Sequence, residues 1–402
     1  MSVETDINVF TLNCWGIPGI SKDRQARMNA IAEELALGKY DIVCLQEVWS
    51  ENDYLNIKKK TSQSLPFSHY FYSGVFGSGV CIFSKYVIED TFFHQWPVNG
   101  YIHKLHHGDW FGGKGIGLCK VKCKDITINI YSAHLHAEYN RWNDEYMAHR
   151  VLQAFDMSQF IRLTSTADVV ILGGDLNTEP GDLSYKIICH NAQLQDSYSL
   201  AKEVSPDCKG TNESIRNSYT DKKLGLDKPD GKRIDYILYK ARPGLMVNCL
   251  KYQFPLPDKV PEETFSFSDH EAVQVTLRAT MSEVIGDTGL DKHEYVEALN
   301  ESRAICNAAL AKLNQDKRSY WIYSAALFLT LLCTIGSDAP YGWFKAINII
   351  RIIVTILLCF TVFMASIWNR TEVNAILTGK LGIGVVHAQL TNSNLNEKIN
   401  NS

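Results

Sequence analysis

Two long apolar runs lie close together near the end of this 402-residue chain, at residues 321–335 and 347–368. Arg351 is the single charged residue within them. Segments this apolar must be covered by protein or by lipid, which limits the chain to a buried helical hairpin or a membrane hairpin. The second run is long enough to cross a bilayer, whereas the first falls short of the roughly 20 residues a span needs. Tyr320-Trp321 and Trp368-Asn369-Arg370 have the character of interfacial anchors, and Arg351 lies near enough to an end for its side chain to snorkel. The membrane hairpin is the expected form, because two such runs adjoin one another with almost no charge.

The link at 336–342 is short, so both flanks of the hairpin fall on one side of the membrane. Lys317, Arg318 and Arg370 flank it, against Asp338 and Lys345 in the turn region. The positive-inside rule then predicts a cytosolic N-terminal domain and tail. The N-terminus, Met1-Ser2-Val3-Glu4, shows neither the basic and apolar regions of a secretory signal nor the glycine that myristoylation requires.

The chain as a whole has the composition of a folded protein. Its 46% hydrophobic and 21% charged content excludes a disordered or collagen-like chain. The net charge of −4 lies wholly in residues 1–281, with 30 Lys/Arg against 34 Asp/Glu, while the remainder holds 10 of each. That balance argues against non-specific attraction to nucleic acid, so no nucleic-acid partner is expected. The 11 cysteines form no CxxC pair and no zinc spacing, which predicts reduced, structural thiols.

Strand-like runs rich in Val, Ile and Tyr occur at 7–12, 41–45, 80–83, 127–132, 168–172, 234–239 and 272–277. Helical periodicity shows at 24–37 and 146–163. Strands outnumber helices and often follow one another directly, which predicts an α/β fold of two largely antiparallel sheets packed as a sandwich with helices outside. The expected division is a catalytic domain at 1–280, a helical juxtamembrane linker at 281–318, the two-helix transmembrane hairpin at 319–370 and a cytosolic tail at 371–402.

Polar residues stand at the ends of these apolar runs, where they can converge on one rim. They are Asn13, Glu47, His134 with His136, Asp175 with Asn177, and Asp269 with His270; Asp235 sits inside a strand. An acid in a strand is disfavoured by burial unless it is paired or bound to metal. Taken singly, Glu47 is a solvated strand end, His134 a structural histidine, and Asp235 an ion-pair partner for Arg233. The ordered set points elsewhere. Oxygen donors such as Glu47 and Asp269, without zinc spacing, suit a hard divalent cation, most naturally Mg²⁺ with Mn²⁺ as a substitute. Such an ion polarises a phosphoryl oxygen. His270 can act as general base if a carboxylate, for which Asp235 is the candidate, orients its ring. Asn13 and Asn177 can hold a phosphate oxygen without changing the charge of the site. These parts describe metal-assisted hydrolysis of a phosphate ester.

The segments Leu12-Asn13, Gln46-Glu47, Gly174-Asp175-Leu176-Asn177, Ile234-Asp235-Tyr236 and Ser268-Asp269-His270 resemble the signatures of the endonuclease/exonuclease/phosphatase superfamily, with its deoxyribonuclease-I-like fold. The resemblance covers about residues 6–280. Within it, Leu12-Asn13-Cys14-Trp15-Gly16-Ile17-Pro18, His106-His107-Gly108-Asp109-Trp110-Phe111 and His134-Leu135-His136-Ala137-Glu138-Tyr139-Asn140 are similar to neutral sphingomyelinases. The resemblance implies that Glu47 is the main Mg²⁺ ligand, with Asn13 and Asp269 near or in the coordination shell. It implies that Asp175 positions or activates water, that Asn177 holds the phosphate, and that His270, supported by Asp235, is the base. His134 would stabilise the pentacovalent phosphate or help protonate the leaving group, and His136 is the less securely matched of the two histidines. Asp109 and Lys114 would form a pair that controls substrate access. The glycine-rich segment that holds them lacks the hydroxyl residue of a nucleotide-binding P-loop, since Gly115 follows Lys114.

One core hosts many substrates, and the hairpin favours a lipid by holding the site beside a bilayer. Trp15, Trp110, Phe111, Tyr139 and Trp142 are candidate contacts for lipid or a choline ammonium. The expected reaction converts sphingomyelin and water to ceramide and phosphocholine with inversion at phosphorus, and choline lysophospholipids are further candidates. The competing readings are a membrane-tethered nuclease or inositol-polyphosphate phosphatase on the same core, and a catalytically idle scaffold. The resemblance implies endoplasmic-reticulum or nuclear-envelope membranes, and the hairpin leaves room for a homo-oligomer.

Overall fold

The computed structural model describes residues 4–104, 107–282, 291–335 and 343–400. The chain divides into two compact units, Met1–Ala298 and Leu299–Ser402. The described strands are, in chain order, β1 (Glu4–Asn13), β2 (Ile42–Gln46), β3 (Phe67–Tyr70), β4 (Cys81–Ser84), β5 (Ile88–Gln95), β6 (Gly115–Cys123), β7 (Ile126–His134), β8 (Val169–Asp175), β9 (Gln195–Asp196), β10 (Glu203–Val204), β11 (Asp235–Ala241), β12 (Leu245–Gln253) and β13 (Val273–Met281). They form one sheet of order β10-β12-β13-β1-β2-β4-β3 and a second of order β5-β6-β7-β8-β11-β9. All seven strands expected from the sequence are present. The short strand β3 and the polar strand β5 lack a strong apolar pattern, and β12 carries Asn248 and Lys251 among its apolar residues.

The main helices of the first unit are α1 (Arg24–Ala36), α2 (Glu51–Lys60), α3 (Met147–Thr164) and α4 (Leu183–Ala192). Strand β1 shows why layers form on both sides of its sheet. Successive residues of a strand point to opposite faces. Ile7 and Val9 join the core between the sheets with Ile42, Cys44, Ile130, Ile171 and Val275. Phe10 and Leu12 instead pack with Met28, Ile31 and Leu35 of α1 and Tyr54 and Ile57 of α2. On the second sheet, Tyr131 of β7 hydrogen-bonds Thr164 and meets Phe160, both on α3. The result is an α/β sandwich with helices outside two stacked sheets.

The strand directions decide where the polar residues go. Most pairings are antiparallel, but β1–β2, β7–β8 and the short β10–β12 pairing are parallel. Parallel neighbours end on the same side, so Asn13 pairs with Gln46 and His134 with Asp175. Strand β11 runs antiparallel to β8 and starts there, with Asp235 opposite Asp175. Strand β13 runs antiparallel to β1, with Val273 opposite Thr11, so the residues just before β13 reach the same rim. The two glycines before Asp175 allow the packing this requires. A Cβ on Gly174 would lie 2.1 Å from the Ala133 carbonyl oxygen, and one on Gly173 would lie 3.1 Å from the Cys44 side chain of the facing sheet.

Beyond two short helices, α5 (Ser197–Leu200) and α6 (Lys222–Asp227), the chain continues into α7 (Lys292–Ile335). This helix is unbroken for 44 residues, so the polar linker and the first apolar run are one element. That continuity supplies the length the first run lacks. Its opening turn belongs to the first unit, where the Tyr295 hydroxyl donates to Asn191 Oδ1 at 2.6 Å and Lys186 pairs with Glu294 at 3.1 Å. In the second unit, α8 (Phe344–Phe363) passes through a π-helical turn at Met364–Trp368 into α9 (Asn369–Asn400). The Ser324 hydroxyl donates to Thr361 Oγ1 at 2.9 Å, and Asn369 Nδ2 donates to the Leu313 carbonyl at 2.8 Å. The expected tail is therefore helical through Asn400. Two described helices, Lys292–Ile335 and the run Phe344–Asn392, are long and apolar enough to cross a membrane. The turn at 336–342 lies outside the described residues, as does His106.

All eleven cysteines are free, and Cys44 and Cys81 are core residues. Ile171 is fully buried between the sheets. Ile171→Ala should cost about 2–5 kcal/mol, measured as a lowered unfolding midpoint in detergent; an unchanged midpoint would contradict this account of the core.

Candidate active site

The rim begins at β1. Asn13 is buried, and its Oδ1 accepts from the Trp15 backbone N–H at 3.0 Å. This leaves the amide NH₂ facing inward, where it donates to Glu47 Oε1 at 3.1 Å and Asp175 Oδ2 at 3.0 Å. Asn13 therefore bridges two carboxylates. Glu47 follows the end of β2 with φ 56°, and Asn177 follows β8 with φ 44°. Both occupy the left-handed region that residues other than glycine rarely adopt, a strain of the kind found at functional sites. Asn177 donates its backbone N–H to Asp175 Oδ1 at 2.9 Å and its amide to the Leu135 carbonyl at 3.0 Å.

His134 ends β7 with its Nε2 3.5 Å from Asp175 Oδ2 and 3.9 Å from Glu47 Oε1. Burial holds its pKa well below the usual histidine value, so the ring is neutral near pH 7. His270 behaves in the opposite way. Burial works against its charge, but the Asp235 carboxylate 2.8 Å from Nδ1 outweighs that, aided by Asp175 and Asp269, and raises its pKa well above the usual value. Its Nε2 is 4.0 Å from Asp175 Oδ2. Asp235 thus pairs with His270, and Arg233 pairs with Asp196 at 2.7 Å.

The acids show the strain of crowding. Asp175 is pushed up to about 7 by burial and by the nearby Asp235. Asp269 is pushed up to about 6 by burial, with Glu47 adding to the effect. Asp269 and His270 precede β13 in a loop. There the Ser268 hydroxyl donates to the Asn13 carbonyl at 2.6 Å and lies 3.3 Å from Asp269 Oδ1.

The donor set fits a hard cation. Asp175, Asp235 and His270 offer ligand atoms within 4.8 Å of one another, a grouping able to hold a metal ion. Glu47 Oε2 and Asp235 Oδ1 are buried with no hydrogen-bond partner. Unpartnered buried carboxylate oxygens beside two acids of raised pKa are the condition a divalent cation relieves. The ligand set expected from the sequence is Glu47, Asn13 and Asp269; the geometric grouping has no member in common with it and is linked to it by the Asn13–Asp175 hydrogen bond.

Asp109, Lys114 and His136 form an adjoining cluster. Lys114 Nζ pairs with Asp109 Oδ1 at 2.6 Å, and both are buried. His136 Nε2 is 3.6 Å from Asp109 Oδ2, and the Tyr139 hydroxyl donates to that oxygen. Burial opposes ionisation of Asp109, but Lys114 and His136 outweigh it and hold the carboxyl well below its usual range. Burial lowers His136 to about 4. Lys114 Nζ also reaches the Leu135 carbonyl at 3.5 Å, the oxygen that Asn177 uses, so the two clusters share one backbone group.

Two contributors were not apparent from the sequence. Arg27 looks like a polar position on α1, yet it is fully buried and donates to the carbonyls of Cys14, Trp15 and Phe267 at 2.8, 2.7 and 3.2 Å. It ties the loop after β1 to the loop that carries Asp269 and His270. Gln46 donates to Ser132 Oγ at 3.1 Å and so links the two sheets below the site. Nothing in local sequence pattern reports either long-range contact. Of the aromatic candidates, Trp142 is 98% exposed and Tyr139 is committed to Asp109.

Two stacked mixed sheets carrying a rim of acids, histidines and amides, with a grouping able to hold a metal ion, have the make-up of a phosphoesterase. Residues 10–270 match the model of the Endonuclease/Exonuclease/phosphatase family, and the chain belongs to that family. A Drosophila melanogaster protein whose name places it with the neutral sphingomyelinases is 41% identical over 438 residues, covering 96% of this chain and 98% of its own. The Homo sapiens sphingomyelin phosphodiesterase 2 is 41% identical over 272 residues, covering 67% of this chain and 64% of its own. Among solved structures, a beta toxin variant from Staphylococcus aureus with bound magnesium ions superposes with a TM-score of 0.52 at 18% identity, covering 69% of this chain and 100% of its own. That likeness is one of fold.

The Asp235–His270 pair gives a direct test. Asp235→Asn removes the charge that raises His270, so the ring should lose its proton at a lower pH. Histidine NMR titration reads the shift, and an unmoved His270 titration would show that Asp235 does not hold the ring.

Proposed function

We propose that this chain is a membrane-anchored, Mg²⁺-dependent phosphodiesterase that hydrolyses sphingomyelin to ceramide and phosphocholine. The observation that carries the reading is the convergence of Glu47, Asp175 and the Asp235–His270 pair on one rim of a chain related over nearly its whole length to a neutral sphingomyelinase by name. Choline lysophospholipids fit the same chemistry.

Glu47 would hold the ion as its main ligand, with Asn13 and Asp269 beside it and Asp175 within reach. Mg²⁺ is favoured by the oxygen-rich donor set and by the magnesium of the toxin structure, with Mn²⁺ as a substitute. When bound, the ion supplies charge neutralisation at the phosphoryl group. The remaining chemistry belongs to the side chains. Asp175 and His270 face each other across 4.0 Å and titrate as a coupled pair, and whichever of the two is unprotonated takes the proton of the attacking water. Asp235 accepts from Nδ1 and so keeps Nε2 turned to that water. As the water oxygen bonds to phosphorus, the bond from phosphorus to the ceramide oxygen breaks, and that oxygen takes a proton from His134 or from solvent water. Water attack on one face and departure from the other inverts phosphorus. Asn177 holds a phosphate oxygen through its amide. His134, beside Asp175 and Glu47, donates an N–H to the pentacovalent phosphate or helps protonate the leaving oxygen. Asp109 and Lys114, with His136, govern substrate entry beside the Leu135 carbonyl.

Residues 1–280 would form the phosphodiesterase, joined by 281–318 to a hairpin at 319–370 and a tail at 371–402. Lys317, Arg318 and Arg370 support a cytosolic catalytic domain and tail on an internal membrane. The competing nuclease reading requires a basic groove, which the acidic balance of the first 281 residues disfavours.

Purified protein should release phosphocholine from sphingomyelin micelles with Mg²⁺ and stop with chelator. His270→Ala should lower turnover by at least about 10²-fold, on the order of a lost acid–base group, and Glu47→Ala should abolish Mg²⁺-dependent turnover by removing the main ligand, each with unfolding unchanged. Equal turnover of plasmid DNA would overturn the lipid assignment. Ending the chain at residue 318 should free the protein from carbonate-washed membranes; retention there would place the anchor in the catalytic domain.

A further inference from the structure

The loop between β3 and β4 ends in an apolar tip that the mechanism does not use. Tyr72 is 66% exposed, Val75 70% and Phe76 61%. Soluble proteins seldom present adjacent large apolar side chains in this way without a use for them. The tip is held rigidly. Gly74 pairs with Gly112 in an isolated antiparallel bridge, and the backbone N–H groups of Val75 and Phe76 both donate to the Phe111 carbonyl, at 3.1 and 3.2 Å. The Phe76 and Phe111 rings lie 5.9 Å apart. A Cβ on Gly74 would come within 2.4 Å of the Gly113 nitrogen, so the two loops touch through bare backbone.

This paired tip stands on the active-site rim. The loop that receives it carries Asp109 and Lys114. Its base at Gly79 accepts from the Val48 N–H at 2.9 Å, one residue past Glu47. The direction of β4 fixes the end. Cys81 pairs with Leu45 near the rim, and Ser84 pairs with Ile42 at the far end, so Val87 lies away from the site.

We infer that the tip formed by Tyr72, Val75 and Phe76 is a lipid-contact surface, through which the catalytic domain docks on the bilayer and brings its rim to the substrate. The occupant is the bilayer because the chain itself holds two helices long and apolar enough to cross one. An apolar tip beside the site also suits a substrate whose scissile bond lies at the lipid–water boundary; residues 73–79 carry no charge, and the one carboxylate against the tip, Glu51, accepts from the Tyr72 hydroxyl at 2.6 Å, at its edge away from Val75 and Phe76 in sequence. This inference rests on the sphingomyelin reading for its role in turnover, but not for lipid contact itself.

The test uses the full-length protein in vesicles of phosphatidylcholine and sphingomyelin. The double substitution Val75→Ser and Phe76→Ser should lower turnover of vesicle sphingomyelin at least tenfold, while a short-chain, water-soluble sphingomyelin is cleaved as by the unaltered protein. In a second arm, a photoreactive phenylalanine analogue replaces Phe76, or replaces Val87, which is 55% exposed at the opposite end. Lipid adducts should form at 76 and not at 87. Unchanged vesicle turnover by the double variant overturns the proposal. So does photolabelling of protein instead of lipid at 76, or equal lipid labelling at both positions. If the variant loses both substrates, the labelling arm decides. If the unaltered protein cleaves neither substrate yet labels lipid at 76, the sphingomyelin reading fails and the docking surface stands.

Discussion

Four acids, Glu47, Asp175, Asp235 and Asp269, are drawn to one rim, and their mutual repulsion is the constraint around which the site is built. Burial and neighbouring acids push Asp175 to about 7 and Asp269 to about 6. The fold offsets the repulsion with specific partners. The Asn13 amide bridges Glu47 and Asp175, and His270 neutralises Asp235. Arg27 spends its donors on backbone carbonyls and brings a positive charge near Asp269. What remains unpartnered, Glu47 Oε2 and Asp235 Oδ1, is the part a cation would complete. A site left short by these oxygens is costly without its ion, and that cost is the usual mark of metal-dependent chemistry.

The same rim joins two requirements of a lipid hydrolase. The reacting phosphate needs a polar, preorganised cluster, whereas the lipid needs an apolar approach. Here the Asp109–Lys114 pair and the apolar tip at Val75 and Phe76 are carried on two loops that touch through Gly74 and Gly113. The apolar and polar parts therefore share a backbone frame. The Leu135 carbonyl, shared by Lys114 and Asn177, extends that frame to the turn after β8 that carries Asn177.

Much of this was legible in the chain. Strands with strong apolar runs, such as β1, β2 and β8, were recognisable because both of their faces are buried. Strand β5 was not, because seven of its eight residues are polar, aromatic or charged and most are exposed. The polar ends Asn13, Glu47, His134 and Asp175 stood out because each interrupts an apolar run. Asp235 was ambiguous, since Arg233 lies two residues away and an alternating strand places both on one face. The structure turns Arg233 to Asp196 and Asp235 to His270, choices that depend on strands distant in sequence. Arg27 could not be recognised, because its partners at 14, 15 and 267 are brought together only by folding.

The sequence by itself determined the kinds of chemistry available: oxygen donors without zinc spacing, a histidine beside acids, and a hairpin too apolar for water. Residue type and run length are local properties, and they survive without a fold. The tertiary structure decided which of those groups meet. Parallel pairing of β1 with β2 and of β7 with β8 puts four strand ends on one side, and antiparallel β11 and β13 start from it. It also decided that the first apolar run continues the polar helix before it, giving one 44-residue element. Hydrogen-bond register and helix continuity are set between segments far apart or across their junctions, where sequence pattern carries no signal.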